Sequence, residues 1–281
     1  EYIMDAQMSD IPQNGQIDKL LIFRNYPLEL EDRKLTKKPG TLGAIFIIGQ
    51  AVLDFGNFTD LANVYGLEEI EPANELVLHK IKNVVLEGLG NNTDDKDINA
   101  LTLINLGNDG HEFDDIEVIE SQDDGIEIFG GSVNMSNITI SNAHDDYFDT
   151  DYGHSGTIDG LKLYQSSRYK GKSLIECGNT RGSTATKFKN VSFNDDFDVS
   201  SYVNNSSDKN FNIKLGSVVE INDVVLEEAV DELPGLEYIM DAQMSDIPQD
   251  GVLDKLLIFR NYPLELEDLS LIHISEPTRR I

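Results

Sequence analysis

Two acidic turns, Asp123-Asp124-Gly125 and Asp145-Asp146-Tyr147, recur 22 residues apart, and matching tripeptides follow them, Ile126-Glu127-Ile128 and Phe148-Asp149-Thr150. Carboxylates at this density could do three kinds of chemistry. Hard oxygen ligands beside a glycine-containing turn suit Ca2+, which takes about six to eight oxygens. A carboxyl pair at the right separation can serve as acid and base on a glycosidic bond. A polysaccharide lyase would need a cation to neutralise the substrate acid and a Lys or Arg base; Arg168, Lys170, Lys172 and Arg181 are the nearby candidates. The plainer alternative is a set of solvated turns whose carboxylates cap backbone N–H groups.

The interval between the turns is about one coil of a solenoid. In stacked parallel strands, equivalent side chains stand about 4.8 Å apart. Asp123 would then sit on Asp145, Asp124 on Asp146 and Glu127 on Asp149. Like charges so close need a cation, a shared proton or solvent to relieve them. The expected Ca2+ ligands are Asp123, Asp124, Asp145, Asp146 and Asp149, with Glu127 and Asp151 as further candidates. The spacing matches neither an EF-hand nor a nonapeptide calcium repeat. His144 and His154 bracket the second turn and read as hydrogen-bonding turn residues, while Cys177 reads as a small apolar side chain. Tyr147, Tyr152, Tyr164 and Tyr169 fit either a sugar-stacking face or ordinary outward strand positions.

The elements that must position these groups are written in a recurring pattern: apolar, two polar residues, apolar, one residue, apolar. It occurs as Ile81/Val84/Leu86, Phe113/Ile116/Val118, Met135/Ile138/Ile140, Ile158/Leu161/Leu163, Phe188/Val191/Phe193 and Ile221/Val224/Leu226. The second intervening residue is always Asn, Asp or Gly, the types that tolerate a tight turn. A second ladder runs between these motifs through Leu101-Thr102-Leu103, Ile126-Glu127-Ile128 and Phe148-Asp149-Thr150, with Ser173-Leu174-Ile175-Glu176 following in an open register. Alternation on short strands implies side chains pointing by turns into a core and out of it. Two ladders per coil predict an all-β fold, a right-handed parallel β-helix, rather than a helical bundle. The isoleucine-rich run Thr41–Phe55 reads as the first buried strands, the cluster Arg33, Lys34, Lys37 and Lys38 as an exposed turn, and 58–74 as a loop or short helix.

Glu1–Asp32 returns as Glu237–Asp268 at an offset of 236 residues, differing only at Asn14/Asp250, Gln16/Val252 and Ile17/Leu253. Such near-identity exceeds what a shared fold enforces and points to a tandem array. The expected organisation is 1–32 as the start of a repeat unit (linker or first coils), 33–236 as the β-helix and 237–268 as the start of the next unit. Residues 269–281 resemble a translated sequencing adapter and read as a non-native tail.

With 51 acidic against 22 basic residues, the formal charge is −29. That balance repels phosphate backbones and anionic membrane surfaces, so nucleic acid is excluded as a partner class. A single cysteine rules out an internal disulfide and a Cys-rich zinc site. No apolar run is long enough to span a bilayer.

The segments Leu42–Gly49, Ile81–Glu87, Asp123–Asn134 and Asp145–Gly153 resemble a family of bacterial surface β-helix proteins, lipoproteins and outer-membrane-associated proteins among them. The resemblance implies an extracellular or outer-surface β-helix. The resulting reading is a structural or adhesive tandem module, stiffened by Ca2+, whose partners are neighbouring units and surface polysaccharide. A polysaccharide lyase or glycoside hydrolase, or a carbohydrate-binding module without turnover, is the alternative.

Overall fold

Side chains that alternate along a strand must bury one face of it, and here two ladders share one core. A computed structural model describes residues 1–50, 71–93, 96–165, 173–178, 184–193, 211–213, 217–222, 224–227, 238–240 and 256–258. The chain divides into two compact units, Glu1–Glu228 and Ala229–Ile281. In the first, an eight-stranded sheet (sheet A) and an eleven-stranded sheet (sheet B) are visited in turn. Every pairing in both is parallel except the last one in sheet B. This is a parallel β-helix. The sole helical element among the described residues is a 3-10 turn, Met8–Asp10.

The inward rungs align in register from coil to coil. In sheet A the column runs Leu21, Ile45, Leu101, Ile126, Phe148, Ile175 and Phe211. In sheet B, Leu30, Ile81 and Phe113 align, as do Met135, Ile158, Phe188 and Ile221. These side chains form one continuous apolar core, with the half-buried Phe211 packed against it. Phe148 and Phe188 meet edge to face across it, their centroids 5.6 Å apart. Cys177 is buried in the same core, its Sγ accepting from Thr150 Oγ1 at 3.2 Å.

The polar pair inside each sheet B motif bends the chain. Asn83, Asp115, Asn137 and Asn190 have φ of 51°, 54°, 53° and 50°, and Gly160 has φ of 78°. Asn, Asp and Gly tolerate this left-handed geometry, which costs other L-residues about 1–2 kcal/mol. Neighbouring turns are also tied together: Asn137 Nδ2 donates to Asp114 Oδ1 at 2.8 Å and Asn190 Nδ2 to Asp159 Oδ1 at 2.6 Å. Replacing Asn137 by Ala is expected to cost about 1–2 kcal/mol in chemical denaturation, and replacing it by Gly clearly less.

Three readings change. The basic cluster is not a turn: Arg33, Lys34 and Lys37 lie within the strand Glu29–Lys37. This strand is a further copy of the motif, Leu30/Arg33/Leu35, with Asp32 at φ of 51°. Its Lys34 pairs with Glu87, and Arg33 donates to Pro12 O at 3.3 Å, so a strand tolerates what looked like loop charge. The run Ala44–Ile48 is a buried strand but not the first, because Tyr2–Met4 and Leu20–Phe23 precede it in sheet A. Finally, Ile221/Val224/Leu226 does not continue as one parallel strand. Val224–Glu227 turns back antiparallel on Val218–Ile221 and ends sheet B.

In the second unit Tyr238–Met240 pairs in parallel with Leu256–Ile258. Its register, Tyr238 to Leu256, repeats that of Tyr2 to Leu20 at the same offset. The expected loop over 58–74 and the adapter-like tail lie wholly or largely outside the described residues, residues 71–74 excepted.

Candidate functional site

One outward column of sheet A changes character along the helix. It reads Ile22, Phe46, Thr102, Glu127, Asp149, Glu176 and Asn212, each hydrogen-bonded rung set directly on the last. The apolar end continues into a second cluster that includes Ile48, Ile104, Phe129 and Tyr152. The acidic end is where the two turns arrive. Gly125 N–H donates to Asp146 O at 3.0 Å and Asp146 N–H to Asp124 Oδ1 at 2.8 Å, so the turns stack as their 22-residue spacing implies.

The carboxylates form three overlapping groups whose ligand oxygens lie within 4.8 Å of one another: Asp123, Asp124 and Asp145; Asp124, Glu127 and Asp149; Asp146, Asp149 and Glu176. Of the expected ligands, only Asp151 falls outside these groups; it lies one outward position beyond Asp149 in the same strand. Apart from the half-buried Asp145, all of these groups are at most 9% exposed. That burial departs from the reading of outward, solvated turns. Glu176, Asn99 and Asn212 were not among the expected site residues. Asn99 Nδ2 donates to Glu127 Oε2 and Asn212 Nδ2 to Glu176 Oε2, so an amide closes each end of the carboxylate column. Asn92 Nδ2 donates to Asp123 Oδ1 at 3.0 Å. By contrast, Oδ1 of Asp146 and Oδ1 of Asp149 are buried with no hydrogen-bond partner.

Burial and repulsion together hold protons on this face. Desolvation, then the charges of Glu127, Asp123 and Asp146, raise Asp124 well above the usual carboxylate range. Desolvation, then Asp151, Glu127, Asp124 and Glu176, do the same to Asp149. Asp146 is pushed up to about 7 by burial and by Glu176, against hydrogen bonding from Ser173. Sheet B handles its outward charge in the opposite way. There Lys80 stands between Glu29 and Glu112 in register and reaches Glu31 at 3.3 Å, while Lys187 meets Glu220 at 3.2 Å. Alternating signs neutralise one face; the other concentrates a single sign.

A family model described as a pectate-lyase-like β-helix domain matches residues 1–258. The chain belongs to that family. Comparison with curated proteins and with solved structures gives no match. Among the described residues of this β-helix domain, no helix is long and apolar enough to cross a membrane. The lyase-type bases Arg168, Lys170, Lys172 and Arg181 lie outside the described residues, as does Tyr169.

Tyr147, Tyr152 and His154 of the β-helix domain are placed differently from their sequence reading. Tyr147 is fully buried in the core, so it neither stacks on sugar nor points outward. Tyr152 packs edge-on against Phe129 at 5.4 Å. His154 is also fully buried, its ring bridging Thr186 Oγ1 at 2.8 Å and Val133 O at 3.2 Å, and is a coil-to-coil strut rather than a turn residue. His144 stays exposed at the second acidic turn, its N–H donating to Ser121 O and Asp123 O.

Proposed function

We propose that the chain is a tandem β-helical module of a secreted or cell-surface protein, with a structural or adhesive role, whose acidic column takes up Ca2+. The observation that carries this is a set of same-sign carboxylates on adjoining rungs, at most 9% exposed, with two buried oxygens that no protein group satisfies. A small hard cation fits such a place, because it brings the compensating charge without needing the access a polymer requires. The residues that would hold it are Asp123, Asp124, Glu127, Asp145, Asp146, Asp149 and Glu176, with Asp151 adjoining. The second copy of the opening segment supports an array in which neighbouring units of one polypeptide are the nearest partners, with surface polysaccharide outside them.

A carbohydrate-directed activity, lyase or hydrolase, is the second reading, favoured by the family description. Asp146, held protonated up to about pH 7, would be its acid. The burial of the column weighs against it. Incubation with polygalacturonate, with Ca2+ present, is expected to yield neither unsaturated ends nor new reducing ends. Either product, lost in Asp146→Asn, would establish the enzymatic reading instead. In the same buffer, a melting curve is expected to rise with millimolar Ca2+ and fall with chelator; superimposable curves would remove the calcium reading.

A further inference from the structure

Within the calcium reading, the column is not uniform. At its Asp123 end the carboxylates are supplied with donors, Asn92 for Asp123, the Asp146 N–H for Asp124 and Asn99 for Glu127. At the other end, Asp146 and Asp149, both 5% exposed, each carry a buried Oδ1 atom that lacks a partner, while Ser173 hydrogen-bonds to the Asp146 carboxylate. Both belong to the group completed by Glu176.

The ladder of sheet A shortens by one position at the same level of the solenoid. In sheet B the rung is split at this level into Thr157–Asp159 and Lys162–Tyr164, yet it meets Met135–Ser141 at five positions, as many as join Met135–Ser141 to Glu112–Ile119. In sheet A, Ile126–Phe129 pairs with Phe148–Asp151 over four positions, whereas Phe148–Thr150 pairs with Ile175–Cys177 over three. The repulsion between Asp149 and Glu176 falls on this thinner seam.

We propose that Asp146, Asp149 and Glu176 seat one divalent cation, Ca2+, which clamps the strand Ile175–Cys177 onto Phe148–Asp151 and so sets how firmly that strand is held. This rests on the calcium reading and assigns it a place and a consequence. The clamp joins rungs 27 residues apart in sequence, Asp149 and Glu176, that the ladder makes direct neighbours. The ion supplies attraction where the protein supplies only like charges. Because that pairing in sheet A is one position shorter than the one before it, ion occupancy is read out as protection of the strand Ile175–Cys177.

The test is calorimetric titration of Ca2+ into the full chain, paired with hydrogen-exchange mass spectrometry with Ca2+ and with chelator. One ion per chain is expected. Glu176→Gln should weaken it about tenfold or more, Asp123→Asn by less than about threefold, and Glu112→Gln, on sheet B, not at all. Ca2+ should slow exchange in peptides covering 173–178 and leave those covering 80–93 unchanged. Removing one of several like charges favours folding, and Asp149→Asn repeats the comparison should Glu176→Gln fail the circular dichroism check. The wild-type exchange map needs neither variant. A larger loss in Asp123→Asn than in Glu176→Gln, or protection absent from 173–178, overturns the clamp and leaves calcium binding standing. No binding heat and no change in melting overturns both.

Discussion

In the presence of chelator, the protein is expected to lose stability as pH rises from about 6.5 through about 7, and millimolar Ca2+ is expected to abolish that loss. Asp124, Asp146 and Asp149 have folded-state pKa values above the unfolded value of 3.8. Each contributes stability that is complete below that value and is lost as pH rises through its folded pKa, which for Asp146 is about 7. While a group titrates only in the unfolded chain, the slope is about 1.4 kcal/mol per pH unit. Two histidines work in the opposite direction. Burial, with His111 beside it, lowers His79 to about 3, and burial lowers His154 to about 4, against the hydrogen bond that Val133 O accepts. Their stability is complete above the unfolded value of 6.5 and is lost as pH falls toward those figures. Below about 6.5 the two effects oppose each other; above it only the carboxylates remain. Ca2+ at about a hundred times its dissociation constant adds roughly 2.7 kcal/mol by mass action. Melting temperature measured from pH 5 to 9, with and without the ion, checks this. A flat curve in chelator would show that the column carries no shared proton.

Gly125→Ala is expected to cost about 3 kcal/mol or more and to weaken Ca2+ uptake with it. A Cβ at Gly125 would stand 2.5 Å from Tyr147 O and 2.6 Å from Ile140 Cγ2. The first neighbour is backbone of the next coil and the second is core, so neither can move aside without disturbing a ladder. Gly125 also donates the N–H that sets the two acidic turns in register. At Gly40, where a Cβ meets nothing within 4 Å, the same change carries only the cost of a φ of 77°. Urea denaturation of the two variants should separate them by about 1–2 kcal/mol, and equal losses would mean that the turn tolerates a shift of the next coil.

Where loops between coils are short and equal, the site could be read from residue types alone. The step from Glu127 to Asp149 is one such case, and it placed five aspartates and a glutamate on one wall. Glu176 follows Asp149 by 27 residues, and nothing in Ser173-Leu174-Ile175-Glu176 says which of its residues faces the core until the pairing of Phe148 with Ile175 fixes it. Asn99 and Asn212 had no signal beyond being polar, because their role depends on which rung they cap. The fold was legible because turn residues with positive φ are chemically distinctive. Arg33 hid one copy of that motif by filling an apolar position with a charged side chain whose head reaches Pro12 O. Burial of Tyr147 was not legible, since a turn residue next to two aspartates reads as solvent-facing until the coil closes over it.

The shared register of Tyr2–Met4 on Leu20–Phe23 and of Tyr238–Met240 on Leu256–Ile258 bears on how such a gene changes length. Misaligned recombination between the two tracts would delete or duplicate a whole period, since a crossover within the paired strands joins residues of matching register. Neither of these paired strands would be shifted by one position. Length would therefore vary in whole modules, with each new junction already compatible with folding.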